Sequence, residues 1–221
     1  MRKIFYDPAS TVCRPIVQFL LEHEVEAELV HVDLTLGEHH SDWFAKINPN
    51  RLLPALEEDG FVLTESAAIL RYLATLADSP AYPAEARARA RVDEALDWFN
   101  TGFYRDHGYG VVYPQIFEKY RLPGADFGAA LDWYEKRAAA RLDVLDRHMI
   151  GGNGTWVAGE TFTIADMFGA ALVTVGELAG FSLEPWPNVR RWLAAVAARP
   201  SWAEANAAFF GWRSALRAEA A

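Results

Sequence analysis

The spacing of apolar residues changes near residue 77, and this change constrains the fold more than any other feature. Up to that point, stretches with the two-residue alternation of a half-buried strand take turns with stretches of helical spacing. From residue 84 onward the spacing is nearly all helical, and residues 78–83 have the composition of a linker. We therefore predict an α/β domain at 1–77, a linker at 78–83 and an all-helical domain at 84–221.

The first domain is predicted to contain a mixed sheet. Its elements follow the order strand, helix, strand, short helix, hairpin and helix, with predicted bounds 3–6, 13–23, 27–32, 41–47, 53–64 and 65–77. The pair Asp59-Gly60 lies between two apolar runs, which is a strong hairpin signal. In the second domain, helices are predicted at 84–102, 127–149, 163–178 and 189–198. The fold class is therefore α/β plus all-α.

Composition and charge exclude several classes of function. The net charge is −9, and no basic run offers a track for nucleic-acid phosphates. No uncharged apolar stretch reaches the ~20 residues of a membrane helix, and the first residues lack the pattern of a secretory signal. Cys13 is the single cysteine, so an internal disulfide is impossible. We expect a cytoplasmic protein that binds neither nucleic acid nor a membrane.

A hydroxyl stands between the first predicted strand and the first predicted helix, at Ser10. A helix N-terminus carries a partial positive charge and free N–H groups, so a hydroxyl beside it can help to stabilise an anion. The simpler interpretation is an N-cap for the helix, and the local sequence alone favours it. Attack by Ser10 on an acyl group is disfavoured, because the sequence has no Gly-x-Ser-x-Gly and no base nearby.

Four stretches of the first domain occur in a distinctive order. They are Ser10-Thr11-Val12-Cys13-Arg14, Val32-Asp33-Leu34 followed by Gly37-Glu38-His39, Asn48-Pro49 with Leu53-Pro54-Ala55-Leu56, and Leu63-Thr64-Glu65-Ser66-Ala67-Ala68-Ile69-Leu70-Arg71-Tyr72-Leu73. The second domain adds the helix-capping pattern Thr163-Ile164-Ala165-Asp166. Each stretch is weak evidence alone, but the combination resembles the theta-like, serine-type branch of the glutathione transferases. The resemblance implies a thioredoxin-like first domain, a helical second domain and a homodimer.

The resemblance also implies that Ser10 is the catalytic residue and that the anion is the thiolate of reduced glutathione. This thiolate would attack a small hydrophobic electrophile, with glutathione as co-substrate and no other cofactor. A free thiol has a pKa of about 8.5, and lowering it by ~2 units needs ~2.7 kcal/mol. A hydrogen bond to a charged group supplies ~1.5–3 kcal/mol, and a helix N-terminus adds ~0.3–1 kcal/mol. Tyr6 is the alternative residue, since other branches of the family use a tyrosine near this strand.

By the same resemblance, the implied glutathione-binding residues are His39, His40, Arg51, Leu52, Leu53, Pro54, Glu65, Ser66 and Asp97. Leu53 precedes the position at which the family carries a cis proline, and its backbone would pair with the cysteinyl part of glutathione. The amides at the start of the third helix suit the γ-glutamyl carboxylate. Ser66 would donate to that carboxylate and Glu65 would accept from the amino group, while the simpler interpretation of both is a helix cap.

The glycine end of glutathione is expected near the short second helix. Either His39 or His40 would reach its carboxylate, and Arg51 fits as a second partner. Leu52 departs from the basic residues that related proteins often have there, so only its backbone would contribute. Asp97 would reach across a dimer to the amino group. We predict no metal site, because successive residues of a helix point about 100° apart and the two histidines would not share one ion.

The second domain has an aromatic-rich stretch at 98–117, most of which is expected to form core or dimer contacts. Tyr104 and Tyr109 are the candidates for contact with the electrophile. Two other functions remain open at the level of the sequence. One is a glutathione-dependent thiol transferase or disulfide reductase that uses Cys13, which a helix N-terminus could activate. The other is a glutathione-fold protein that binds without catalysis.

Overall fold

The computed structural model describes residues 1–151 and 154–219, which form two compact units. The first unit contains residues 1–82 together with the segment from Pro200 onward, and the second unit contains residues 83–199. The sequence prediction assigns 84–221 to one helical domain, whereas the structure groups the 200–219 segment with the first unit. The physical reason is a set of contacts between this segment and the first helix, in which Arg14 takes part.

The first unit contains a four-stranded mixed sheet. Its strands are β1 (Lys3–Tyr6), β2 (Glu28–His31), β3 (Ala55–Glu58) and β4 (Phe61–Thr64). They lie in the order β2-β1-β3-β4, with β1 parallel to β2 and β3 antiparallel to both of its neighbours. Asp59 and Gly60 make the tight turn between β3 and β4, and both have positive φ angles, as the predicted Asp-Gly hairpin requires.

Three helices accompany this sheet within residues 1–82. They are α1 (Arg14–Glu22), α2 (Asp42–Ala45) and α3 (Ser66–Leu76). Pro15 lies in the first turn of α1, a position where proline suits a helix start. The side chains of Ile16, Phe19 and Leu20 are buried at the helical spacing that the sequence predicts. A short 3₁₀ turn at Glu38–His40 comes just before α2.

The second unit is helical. Its α-helices are α4 (Ala86–Asp97), α5 (Tyr113–Ile116), α6 (Phe127–Val144), α7 (Ile164–Thr174) and α8 (Pro187–Ala197). Every residue of α7 is buried, which fits its almost wholly apolar sequence. The helix begins with the predicted capping box. The Thr163 side chain accepts a backbone amide of the first turn, and the Asp166 carboxylate accepts the Thr163 amide.

Other helical segments depart from the predicted pattern. Wide π-helical turns at Trp98–Phe103 and Arg105–Val112 follow α4, and another at Leu145–Ile150 follows α6. The 200–219 segment forms α9 (Pro200–Ala205) and α10 (Ala207–Glu219); the sequence places this segment in the predicted all-helical domain but predicts no separate helix bounds for it. None of the helices in the described ranges is long and apolar enough to cross a membrane.

Candidate functional site

Three segments with predicted site residues leave the sheet at one edge. Phe5 pairs with Ala55, and Ala55 pairs with Thr64, so these residues form one row across β1, β3 and β4. The chain passes from the end of β1 into the turn before α1, and from the end of β4 into α3. The loop before β3 arrives at the same edge. The structure therefore brings Ser10, the Leu53-Pro54 pair and the Glu65-Ser66 pair to a common edge.

The turn that carries Ser10 is held by its backbone. The Ser10 amide donates to the Asp7 carbonyl at 3.1 Å, and the Ser10 carbonyl accepts from the amides of Cys13 and Arg14, each at 3.1 Å. The Asp7 carboxylate accepts the Leu34 amide at 3.1 Å, which ties the turn to the segment after β2. Asp7 is therefore a structural part of the site, and the Asp-Pro pair at its position was a turn signal in the sequence.

Ser10 is not the N-cap of α1. The helix begins at Arg14, so Cys13 occupies the N-cap position. In the described part of the chain, the Cys13 side chain accepts no hydrogen bond from the first turn of α1. The simpler interpretation of Ser10 as an ordinary helix cap is therefore wrong. The hydroxyl lies just before the helix N-terminus without being committed to its capping, which leaves it available for a ligand.

Cys13 is fully buried in a cluster that includes Phe44 and Leu53. Burial raises the pKa of the Cys13 thiol to about 12, and a hydrogen bond with the Ser10 side chain offsets only part of that effect. The thiolate is the reactive form of a cysteine, so Cys13 is inert at neutral pH. Tyr6 is half-buried, and burial raises its pKa as well, so its phenol is a weaker donor than an unperturbed tyrosine.

The loop before β3 has the backbone that the resemblance implies. The peptide bond between Leu53 and Pro54 is cis. Leu53 is buried in the same cluster as Cys13, so this loop lies beside the start of α1. The Asn48 side chain donates to the Leu52 carbonyl at 2.7 Å and fixes the approach to the cis bond, while the Leu52 side chain is exposed.

The start of α3 offers backbone amides at the same edge. Glu65 precedes the helix with φ 70°, a conformation that costs a residue with a side chain about 1–3 kcal/mol and is concentrated at functional sites. In the part of the chain that the structure describes, the Glu65 side chain makes no capping hydrogen bond to α3. Ser66 is buried at the first position of the helix. The arrangement leaves the first amides of α3 available for an anion.

The histidine pair and Arg51 lie together in the segment around α2. The Arg51 guanidinium donates to the carbonyls of His40 and Ser41 and lies 3.4 Å from the Asp42 carboxylate. The rings of His39 and His40 are in contact, with centroids 3.9 Å apart and ring planes tilted by 42°. His39 is buried, whereas His40 is exposed. Of the two histidines, His40 therefore has the side chain that a ligand in solution can reach.

The remaining predicted residues belong to the second unit. Asp97 is exposed at the end of α4. Tyr104 is buried, and its hydroxyl lies 2.7 Å from that of Tyr113. Tyr109 is exposed and lines a surface cleft, together with Tyr120 and other residues of this unit. Tyr109 is thus the more accessible of the two candidates for contact with an electrophile.

Comparison with known proteins identifies the class and then the family. The architecture is that of a glutathione-dependent transferase, with a thioredoxin-like unit followed along the chain by a helical one. The model of the glutathione S-transferase N-terminal domain matches residues 3–75, and the model of the C-terminal domain matches residues 128–200. The chain belongs to the glutathione S-transferase family. The predicted fold, family and enzyme class are therefore confirmed, with glutathione as co-substrate.

Theta-class and delta-class enzymes are both among the similar proteins, and the theta-1 match supports the theta-like branch. The chain is 33% identical to glutathione S-transferase D7 of Anopheles gambiae over 194 residues, which cover 86% of this chain and 83% of that protein. It is 43% identical to glutathione S-transferase theta-1 of Mus musculus over 135 residues, 58% of this chain and 56% of the mouse protein. A delta-class glutathione transferase of Nilaparvata lugens has a similar structure, with a TM-score of 0.85, 30% identity and coverage of 99% of both chains.

Proposed function

We propose that this transferase conjugates the thiolate of reduced glutathione to small hydrophobic electrophiles and that Ser10 holds the thiolate. The observation that carries the proposal is the position of Ser10. Its hydroxyl lies before the N-terminus of α1, at the same sheet edge as the Leu53-Pro54 and Glu65-Ser66 pairs, and it is not used as a helix cap. This edge can hold a short extended peptide, and the hydroxyl would meet its sulfur.

The chemistry requires only a modest change in the pKa of the glutathione thiol. At a pKa of about 8.5, only a few per cent of the thiol is ionised at neutral pH. The Ser10 hydroxyl and the N-terminus of α1 together would supply the ~2.7 kcal/mol that a two-unit decrease in the thiol pKa needs. Cys13 remains a thiol because its pKa is raised to about 12. A neutral thiol is a weak hydrogen-bond acceptor, so in the proposed complex the Ser10 hydroxyl would donate to the charged glutathione sulfur rather than to Cys13.

The rest of glutathione would lie along the same edge. The Leu53 backbone before Pro54 would pair with the cysteinyl part. Glu65, Ser66 and the amides of α3 would take the γ-glutamyl group, because a helix N-terminus favours a carboxylate. The proposed ligands of the glycine carboxylate are His39, His40, Arg51 and Leu52. Among these, exposure favours His40 over His39.

The electrophile and the assembly are proposed more broadly. Tyr104 and Tyr109 would contact the electrophile, and the exposure of Tyr109 makes it the first residue to test. A homodimer and a cytoplasmic location are supported by membership of the family, and in such a dimer Asp97 would reach the amino group of glutathione. Burial of Cys13 argues against the alternative of a thiol transferase or disulfide reductase.

The proposal is tested by conjugation kinetics with a panel of aryl halides, alkyl halides and epoxides. We expect Ser10→Ala to lower kcat/KM by about 10- to 100-fold on every accepted substrate, the equivalent of one hydrogen bond to a charged sulfur. Glutathione affinity should change little, and Tyr6→Phe should remain close to the wild type. Unchanged turnover in Ser10→Ala, or a large loss in Tyr6→Phe, would contradict the role given to Ser10.

A further inference from the structure

The 200–219 segment contacts α1 at both ends of the helix. At the start of α1, Arg14 Nη1 donates to Asn206 Oδ1 at 2.5 Å, and the guanidinium carbon lies 3.7 Å from the centroid of the Phe209 ring. At the end of α1, the Ser201 hydroxyl donates to the Glu22 carboxylate at 2.5 Å. We call the contact of Arg14 with Asn206 and Phe209 the Arg14 clasp. It joins residues 192 positions apart in the chain.

The clasp is buried and well defined. Arg14, Asn206 and Phe209 are each no more than 1% exposed. The Asn206 side-chain nitrogen donates to the Trp202 carbonyl at 2.8 Å, so its oxygen is oriented toward Arg14. A buried cation is tolerated only where hydrogen bonds and an aromatic face receive it, and the guanidinium fork is geometrically demanding. These contacts therefore restrain the position of the Arg14 side chain.

Arg14 constrains Ser10 directly through the backbone. The Arg14 amide donates to the Ser10 carbonyl at 3.1 Å, so the two residues are linked through the first turn of α1. On the opposite side, Asp7 accepts the Ser10 amide through its carbonyl at 3.1 Å. The Ser10 turn is thus fixed between the sheet and the clasp, and a displacement of Arg14 moves the residue that would meet the sulfur.

We infer that Arg14 is a positioning residue for the glutathione thiolate and that Asn206 and Phe209 set its position. The inference rests on the proposed role of Ser10. Stabilisation of a developing anion depends on donor geometry within a fraction of an ångström. Loosening the clasp therefore raises the pKa of the bound thiol, whereas glutathione binding, which uses the Leu53 and Glu65 segments, is largely retained.

The test measures the pKa of the thiol in the glutathione complex, from the ultraviolet absorbance of the thiolate as a function of pH. Asn206→Ala and Phe209→Leu should raise this pKa by about one unit, which is a roughly tenfold decrease in the ratio of thiolate to thiol below the pKa. The affinity for glutathione should stay within about twofold. Ser201→Ala is the matched control, because it removes the contact of the same segment at the far end of α1.

Further variants separate position from charge and from the role of Ser10. Arg14→Lys keeps the positive charge but loses the fork, so it should raise the thiol pKa as Asn206→Ala does. A wild-type pKa in Arg14→Lys together with a raised one in Arg14→Met would show that charge acts instead, and would overturn the inference. Wild-type pKa values in folded Asn206→Ala and Phe209→Leu would also overturn it. If the wild type itself shows an ordinary thiol pKa, or if Ser10→Ala leaves it unchanged, the proposed function fails as well.

Discussion

Cys13 and Ser10 are neighbours within one turn of chain, yet their environments favour different chemistry. The Cys13 thiol is in the core, where desolvation penalises the thiolate, whereas the Ser10 hydroxyl is partly exposed beside the helix end. The sequence ranked Ser10 above Cys13 only through the family motifs, because it contains no direct information on which side chain the packing encloses. The four motifs made Ser10 the better candidate, and the burial of Cys13 supplies a physical reason for that choice.

Replacement of Cys13 tests this ranking. We expect Cys13→Ser to keep conjugation within about threefold of the wild type, since a hydroxyl can replace the thiol as the hydrogen-bond partner of Ser10. In the native protein, Cys13 should react with a thiol reagent at least about 100-fold more slowly than in the unfolded chain, because its thiolate is suppressed. The measurements are conjugation kinetics and timed labelling. Loss of all activity in Cys13→Ser would instead favour a thiol transferase.

His107 gives a residue-scale prediction about pH. It is fully buried in the second unit, and burial lowers its pKa to about 4 from an ordinary 6.5. Between pH 4 and 6.5, His107 is protonated in the unfolded chain but neutral in the folded protein. The free energy of unfolding that depends on His107 is therefore fully present above about pH 6.5 and decreases as the pH falls toward 4. The difference amounts to about 3 kcal/mol in the free energy of unfolding.

The check for His107 is urea denaturation across this pH range in the wild type and in His107→Gln. The difference between the two proteins isolates His107. This matters because burial raises the pKa of Asp166 to about 6, and its titration changes stability in the opposite direction over the overlapping range. A slope shared by both proteins would contradict the assignment to His107.

At the scale of elements, α7 packs closely against Phe99 in the π-helical turn after α4. A methyl group placed on Gly169 would come within 2.3 Å of the Phe99 ring, far below van der Waals contact. We expect Gly169→Ala to lower the free energy of unfolding by about 1–3 kcal/mol, because overpacking exceeds the gain in helix propensity. Urea denaturation measures this loss.

Gly211 in α10 is the matched control for Gly169. An added methyl group there has no described neighbour within 4 Å. Gly211→Ala should therefore stabilise the protein by up to about 1 kcal/mol through helix propensity alone. Equal effects of the two substitutions would show that the close approach of α7 to Phe99 does not control stability.

The elements themselves were predictable to different degrees. The strands and the hairpin followed from alternation and from Asp59-Gly60, which are local signals. The π-helical turns after α4 and α6 carry no such signal, since they keep nearly the same apolar spacing as an α-helix. The start of α9 at Pro200 was available in the sequence, because proline is common in a first helical turn, but the same residue also predicts a break.

At the scale of the whole molecule, the sequence predicted two domains and the linker between them, but it did not predict that the 200–219 segment returns to the first unit. The contact of Arg14 with Asn206 spans most of the chain, and neither residue belongs to a periodic pattern that would pair them. The same limitation applies to the candidate site. The motifs gave Ser10, the cis proline and the start of α3, whereas Arg14 and Asp7 became relevant only through their contacts.

Truncation tests the grouping of the 200–219 segment. A chain that stops at Arg199 should lose about 3–5 kcal/mol of stability, because the buried side chains of Trp202 and Phe209 are lost and the part of α1 that contacts α9 becomes exposed. For a protein of this size the loss corresponds to a decrease in melting temperature of roughly 6–20 °C. A chain that stops at Gly211 retains the clasp and should melt much closer to the full-length protein. Similar melting temperatures of the two chains would contradict the grouping.

The discontinuity of the first unit has a consequence for biosynthesis. Polypeptides emerge in sequence order, and folding of a growing chain proceeds domain by domain. Residues 83–199 are therefore translated before the helices that complete the first unit. A nascent polypeptide can finish its second unit while the first still awaits α9 and α10. The proposed glutathione-binding edge, although encoded earliest, would mature last.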